Sequence, residues 1–194
     1  MSKFFQSARL ADKLILFFAS FFILFLSTFA TCRKDLDAPP GFPAATQTGA
    51  NTMGAIVNGK QLIVYQLPGS LLQSLDAWYI NGAFSLYGFD PSKSYEGSIS
   101  ISLYNVWGTG KYIVANQLEN NTLTNNWAEV EISTGRYLTD SVNTGTVTIT
   151  RFDIVNHIIS GTFSMMPKQA TVTGPDSIVS VQSGRFDVTY IPPN

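Results

Sequence analysis

Residues 98–103 read SISISL, a strict alternation of serine with an aliphatic residue. The same period of two continues in residues 145–153, GTVTITRFD, and in residues 186–190, FDVTY. Successive side chains of a β-strand point to opposite faces, so each segment predicts a strand with one face in a core and the other in water. On this pattern we expect Asp187, like the serines, to face water.

Two asparagine–glycine pairs separate short strand-like segments. Asn58-Gly59 lies between AIV and LIV, and Asn81-Gly82 lies between WYI and FSL. A type I′ turn needs positive φ at both central residues, which Asn and Gly tolerate, so each pair predicts a tight β-hairpin. A third hairpin is expected to join residues 145–152 to residues 158–165 through residues 153–157.

These strands and turns predict an all-β domain over residues 53–191. An antiparallel β-sandwich and a small β-barrel, closed as in lipocalins, both fit the pattern. The nearest helical candidate is residues 67–77, where three leucines have helical spacing, although an irregular strand fits equally well.

The first 31 residues differ in composition from the rest. Lys3, Arg9 and Lys13 form a basic head, and the 17 residues 14–30 contain no charge. A basic head, an apolar run and then small residues are typical of a cleaved export signal. The run is also just long enough for an uncleaved anchor, which would leave the domain on the same side of the membrane.

Cys32 is the only cysteine and directly follows the apolar run, in Phe29-Ala30-Thr31-Cys32. This resembles the lipobox of bacterial lipoproteins, in which the thiol is acylated and the chain is cut just before it. Phe29 and Thr31 depart from the usual residues of that motif. The resemblance implies a membrane attachment at Cys32, because two or three acyl chains form a stable anchor.

Residues 32–52 are rich in Pro, Gly, Ala and Thr, which predicts a flexible linker between the signal peptide (1–31) and the domain (53–191). The linker begins with RKDLD at residues 33–37. This run resembles the surface-export signal of Bacteroidetes lipoproteins, although Leu36 interrupts its acidic pair. An ordinary solvated run of charges is the alternative.

The domain itself carries a pattern of turn glycines and alternating strands, in residues 145–153, 159–164 and 183–188, with NGK at residues 58–60 and GKY at residues 110–112 upstream. It resembles a family of functionally uncharacterised Bacteroidetes outer-membrane lipoproteins with a single all-β domain. The resemblance implies the fold and an outer-membrane location, on the periplasmic side or at the cell surface. It implies no catalytic residues.

Charge and composition exclude several classes of function. Three of the 12 basic and one of the 13 acidic side chains lie in residues 1–31, so the remainder carries nine against twelve. No basic stripe indicates nucleic-acid binding. The single histidine, His157, lies in a predicted turn without a nucleophile motif, and one Cys and one His do not make a zinc site. We therefore expect no catalytic residues, no metal and no cofactor.

The best candidates for ligand contact lie on a predicted strand at residues 126–133. Residues two apart share a face, so Trp127, Glu129 and Glu131 are expected to point outward, opposite Ala128 and Val130. An aromatic ring beside two carboxylates is typical of sugar-binding surfaces. It also occurs in glycosidases, but an outward-facing pair lacks the burial that raises the pKa of a catalytic acid.

Two further aromatic residues are expected at the surface. Tyr104 lies on the opposite strand face from Ile99 and Ile101, and Trp107 follows in the Gly-rich segment WGTG. Exposed rings of this kind stack on sugars or enter pockets of a partner. Separately, DSV at residues 140–142 and DSI at residues 176–178 match the short O-glycosylation motif of Bacteroidetes, with Ser141 and Ser177 as acceptors.

The sequence leaves three hypotheses for function. The first is a non-enzymatic binding module, anchored to the membrane by lipid, with a glycan or an envelope protein as partner. The second is a structural or assembly-associated envelope lipoprotein without a small ligand. The third is a carbohydrate-active enzyme that uses Glu129 and Glu131.

Overall fold

The computed structural model describes residues 39–65, 74–90, 96–115, 126–169 and 178–192, and the regular elements in these ranges are all β-strands. In chain order they are β1 (Thr52–Val57), β2 (Lys60–Tyr65), β3 (Leu75–Ile80), β4 (Ala83–Asp90), β5 (Gly97–Leu103), β6 (Gly110–Val114), β7 (Trp127–Ile132), β8 (Gly135–Leu138), β9 (Gly145–Asp153), β10 (Ile158–Met165), β11 (Lys168–Gln169) and β12 (Val181–Thr189).

The strands form two antiparallel sheets of six. The first sheet has the order β2-β1-β12-β10-β9-β6, and the second has the order β11-β8-β7-β5-β4-β3. The prediction of a sandwich is confirmed. The alternative of a lipocalin-like barrel is wrong, because among the described strands no ladder joins an edge of one sheet to an edge of the other.

All three predicted hairpins are present. The Asn58-Gly59 pair joins β1 to β2 and the Asn81-Gly82 pair joins β3 to β4, and each pair has the expected positive φ (49° and 79°, 47° and 84°). The third hairpin joins β9 to β10 through a turn in which His157 has a φ of 55°. These local turns set the register of the strands beside them.

The core lies between the two sheets. The aliphatic residues of the SISISL segment, Ile99, Ile101 and Leu103, are fully buried there. Phe84 of the second sheet packs against Phe186 of the first, with ring centroids 5.8 Å apart. Burial of such side chains is the main favourable term in folding a domain of this size.

For residues 67–77 the sequence allowed either a short helix or an irregular strand. The described end of this segment belongs to strand β3. Leu75 begins β3 and pairs with Gly88 of β4. Residues 66–73 lie outside the described ranges.

The second half of the predicted linker is not flexible but packs on the first sheet. We call residues 39–51 the strap. Phe42 and Pro43 are buried against β1, where a Cβ on Gly54 would lie 2.8 Å from the Cδ of Pro43. The Arg185 guanidinium of β12 lies 4.7 Å from the centre of the Phe42 ring. The compact unit therefore begins at Pro39 rather than at residue 53.

The burial of Asp187 is a second difference from the sequence prediction, which had this residue facing water. The strap covers Asp187 and leaves it only 1% exposed. Its carboxylate accepts hydrogen bonds from the Thr46 hydroxyl at 2.6 Å, from the backbone amides of Thr48, Gly49 and Ala50 at 2.9, 2.8 and 3.1 Å, and from the Ser160 hydroxyl at 2.8 Å. Burial alone raises the pKa of this carboxyl, but the hydrogen bonds outweigh burial and lower the pKa to about 2.

Candidate ligand-binding face

The outward-pointing side chains of the second sheet form rows that cross its strands. Strands β3, β4, β5 and β7 are consecutive neighbours, about 4.8 Å apart, and successive rows lie roughly 7 Å apart along the strands. We call this surface the open face. Its three rows are Trp78–Ser85–Ser102–Trp127, Asp76–Tyr87–Ser100–Glu129 and Phe89–Ser98–Glu131.

The first row places a tryptophan at each end and serines between. Trp78 and Trp127 are three strand spacings apart, or about 14 Å. Between them the hydroxyls of Ser85 and Ser102 are hydrogen-bonded at 3.3 Å. Ser102 was expected in water but is buried, since larger side chains stand beside it. This row can accept a ligand that has both an apolar face and hydroxyl groups.

Trp78 is held in place although its ring is 43% exposed. Its indole Nε1 donates a hydrogen bond of 2.8 Å to Oδ2 of Asp76, two residues earlier on the same face of β3. This contact orients the ring, so less conformational entropy is lost when a ligand binds.

The second row combines an exposed ring with an ion pair. Tyr87 is 41% exposed, and Ser100 beside it is half-buried. Both oxygens of Glu129 accept hydrogen bonds from Arg136 of β8, at 2.5 and 2.6 Å. This bond raises the pKa of the Arg136 guanidinium. Both carboxylate oxygens of Glu129 are therefore engaged by Arg136.

The third row opens into a pocket of about 290 Å³. Tyr87 and Phe89 line one side of it, and Glu131 belongs to β7 on the other. Glu96, Gly97, Ser98, Ile132 and Ser133 complete the described lining. Like Ser102, Ser98 was expected in water but is buried.

Tyr104 and Trp107 lie beyond the rows rather than in them. Tyr104 follows the end of β5 and is half-buried, and its backbone amide donates to Asn126 Oδ1 at 2.8 Å. Trp107 is 68% exposed and lies over the β3–β4 turn, where a Cβ on Gly82 would be 2.7 Å from its ring. The exposure expected for Trp107 is confirmed, but it does not join the other candidates.

The outward direction expected for Trp127, Glu129 and Glu131 is confirmed, and the structure brings these three together on one face. The sequence interpretation missed Trp78 and Tyr87 as members of that face. The Asn81-Gly82 turn was the signal that could have found them, because a two-residue hairpin fixes which residues of β3 and β4 share a row.

Ser141 lies exposed in the loop before β9. Asp140 orders this loop by accepting hydrogen bonds from the amides of Val142 and Asn143, at 2.8 and 2.6 Å. These hydrogen bonds lower the pKa of the Asp140 carboxyl, and the bond from the Asn143 amide contributes most. Ser177 and Cys32 lie outside the described ranges.

His157 is half-buried in the β9–β10 turn, with its ring 5.3 Å from that of Tyr190. Among the described residues no group of three His, Cys, Asp or Glu side chains is placed to hold a metal ion. The same residues include no helix long and apolar enough to cross a membrane.

Comparison of the chain with known protein families, with curated proteins and with solved structures found no match in any of the three.

Proposed function

We propose that this chain is a membrane-anchored, surface-exposed lipoprotein whose β-sandwich binds a glycan on the open face without chemical turnover. The observation that carries the proposal is the row of Trp78, Ser85, Ser102 and Trp127 across four neighbouring strands. Sugar rings have apolar faces and hydroxyl edges. Two indoles with two serine hydroxyls between them match both parts of such a ligand.

The carboxylates of the open face favour binding over hydrolysis. A glycosidase needs one protonated and one ionised carboxyl flanking the bond to be cut. Here Glu129 is engaged by Arg136 through both oxygens, and Glu131 is exposed on the sheet surface. Neither arrangement leaves a pair of unpaired carboxyls placed on both sides of one bond.

The N-terminal residues support the anchored location. Cys32 follows the apolar run directly, and only seven residue steps separate it from Pro39, where the strap begins. An extended chain of that length reaches at most about 25 Å. In this proposal, an acyl group on Cys32 attaches the chain to the outer membrane.

The binding proposal is tested with the full chain, purified from membranes in detergent and presented to immobilised polysaccharides of different backbone and charge. We expect at least one neutral or amine-bearing polysaccharide to be retained. Binding should fall about tenfold or more in the double variant Trp78→Ala/Trp127→Ala, the factor that corresponds to about 1.4 kcal/mol.

The matched control is Trp107→Ala, because Trp107 is also exposed but lies outside the rows of the open face. This variant should bind as the unaltered chain does. The open face is not a glycan site if no polysaccharide is retained. The same conclusion follows if the double variant Trp78→Ala/Trp127→Ala binds as well as Trp107→Ala does.

The location is tested by digestion of the domain with protease on intact and on lysed cells. Surface exposure predicts digestion on intact cells, and Cys32→Ala should abolish the membrane attachment. Protection until lysis would place the domain in the periplasm and leave the charged run at residues 33–37 without an export role.

A further inference from the structure

The pocket at the end of the open face contains a buried hydroxyl that has no partner among the described residues. Ser98 is 8% exposed and lines the pocket. Among the described residues nothing forms a hydrogen bond with its hydroxyl, whereas the equivalent hydroxyl of Ser102 is bonded to Ser85. Buried polar groups are nearly always hydrogen-bonded, because an unsatisfied one is destabilising. This hydroxyl is therefore available to a polar group bound in the pocket.

The charge of the pocket indicates what kind of group fits. Glu96 and Glu131 both line it, and neither forms an ion pair within the described part of the chain. Among the described residues the cation beside them is Arg136, opposite Glu131 on β8, and it is engaged by Glu129. These four side chains together carry an excess of two negative charges, so the pocket favours a cationic group and disfavours an anionic one.

The aromatic lining agrees with a cation that is organic rather than metallic. Tyr87 and Phe89 line the same pocket, and the faces of their rings attract ammonium groups. A divalent metal ion prefers several charged oxygen ligands converging at one point, and among the described residues no group of three His, Cys, Asp or Glu side chains converges.

We propose that this pocket binds the protonated amine of an amino sugar that forms part of the glycan on the open face. This inference rests on the proposed function and specifies its ligand. An ammonium group has three N–H donors, and the carboxylates of Glu96 and Glu131 with the hydroxyl of Ser98 are three acceptors around the pocket. The remaining sugar units extend from the pocket along the strand direction, across the second row, to the row of Trp78 and Trp127.

The proposal is tested with two matched ligands, β-1,4-linked glucosamine oligomers and the same oligomers fully N-acetylated. Acetylation removes the charge and keeps the backbone. With the full chain in detergent, at a pH at which the amine is protonated, we expect titration calorimetry to show roughly tenfold tighter binding of the free-amine oligomer. The preference should decrease with added salt, since the carboxylates are near the surface.

Two variants separate the pocket from the rest of the face. Glu131→Gln keeps the shape of the side chain and removes its charge, so it should abolish the preference for the free-amine oligomer. Ser98→Ala should lower the affinity for the free-amine oligomer by several-fold, and should lower it more than the affinity for the acetylated oligomer. Unfolding midpoints measured alongside show that both variants remain folded.

Equal binding of the two oligomers, tighter binding of the acetylated one, or an unchanged preference in Glu131→Gln would each overturn the amine subsite. Equal binding that is lost in Trp78→Ala/Trp127→Ala would leave the proposed function standing. Failure of both oligomers to bind also overturns the subsite, and the proposed function falls with it only if every polysaccharide of the panel fails as well.

Discussion

The two sheets of this sandwich differ most on their outer faces. On the first sheet the strap lies across β1 and β12, and the outward-pointing Asp187 is buried beneath it. On the second sheet the rings of Trp78 and Tyr87 stand in water. The same alternation of side chains underlies both faces. It determines which way a residue points, but a distant segment determines whether that residue meets solvent.

The largest effect is expected from Asp187→Ala. The substitution leaves buried amides and hydroxyls of the strap without their acceptor, and we expect a loss of about 3 kcal/mol in the free energy of unfolding. Urea denaturation measures it. The control is Asp140→Ala, in which a loop aspartate with several hydrogen bonds is removed at a cost of about 1 kcal/mol or less. Equal losses in the two variants would contradict the conclusion that the hydrogen bonds between Asp187 and the strap are buried and stabilising.

Acid alone should weaken the hydrogen bonds between the strap and the Asp187 carboxylate. The pKa of Asp187 is lowered to about 2 in the folded protein, below its ordinary value of 3.8. Its stabilisation is therefore complete above about pH 4 and is lost as the pH falls towards 2, with a size of roughly 2 kcal/mol.

Unfolding by urea at pH 5, 4, 3 and 2 measures this loss. Asp140 and Asp153 also have lowered pKa values and add a loss of the same sign. The difference between the unaltered chain and Asp187→Asn isolates Asp187. A difference that stays constant over this range would show that the carboxylate is not stabilised by the strap.

A smaller effect is expected from Gly54→Ala beneath the strap. The new methyl group meets Pro43 at 2.8 Å and Phe42 at 3.3 Å, so the strap must move outward, at a cost of about 1–2 kcal/mol. Thermal unfolding measures the change. Ser100→Ala is the counterpart in the middle of the open face, where no described segment lies above the strands, and it should change stability by about 0.5 kcal/mol or less.

The smallest effect on stability is expected from Trp78→Ala. The ring is 43% exposed on the edge strand β3, so its removal should lower the free energy of unfolding by about 1 kcal/mol or less. Its effect on ligand binding should be much larger. A loss of stability as large as that of Asp187→Ala would mean that Trp78 serves packing and that the open face is not a binding surface.

Local patterns predicted much of the second sheet. The SISISL segment and the Asn81-Gly82 turn together define β4 and β5, because a two-residue turn and a period of two leave one register. The outward direction of Trp127, Glu129 and Glu131 followed from the same period. Trp78 was harder to place, since Trp78 and Tyr79 are adjacent aromatic residues and either one is suited to a core.

The packing of the strap on the first sheet could not be predicted from local sequence patterns. Its Pro, Gly and Thr content is the same whether the segment is solvated or packed, and its main acceptor, Asp187, lies about 140 residues away in the chain. Closure of the sheets is equally non-local, because it depends on which edge strands meet and not on any single segment. The pocket beside Ser98 depends on residues of three separate strands and has no signature in any one of them.

The strap also gives the domain a front and a back. The chain reaches the sandwich at residue 39 and is fastened to the outer side of the first sheet, while the open face belongs to the second. Under the proposed function, a polysaccharide would lie across the front while the strap occupies the back, so the two would not compete for the same surface of the sandwich.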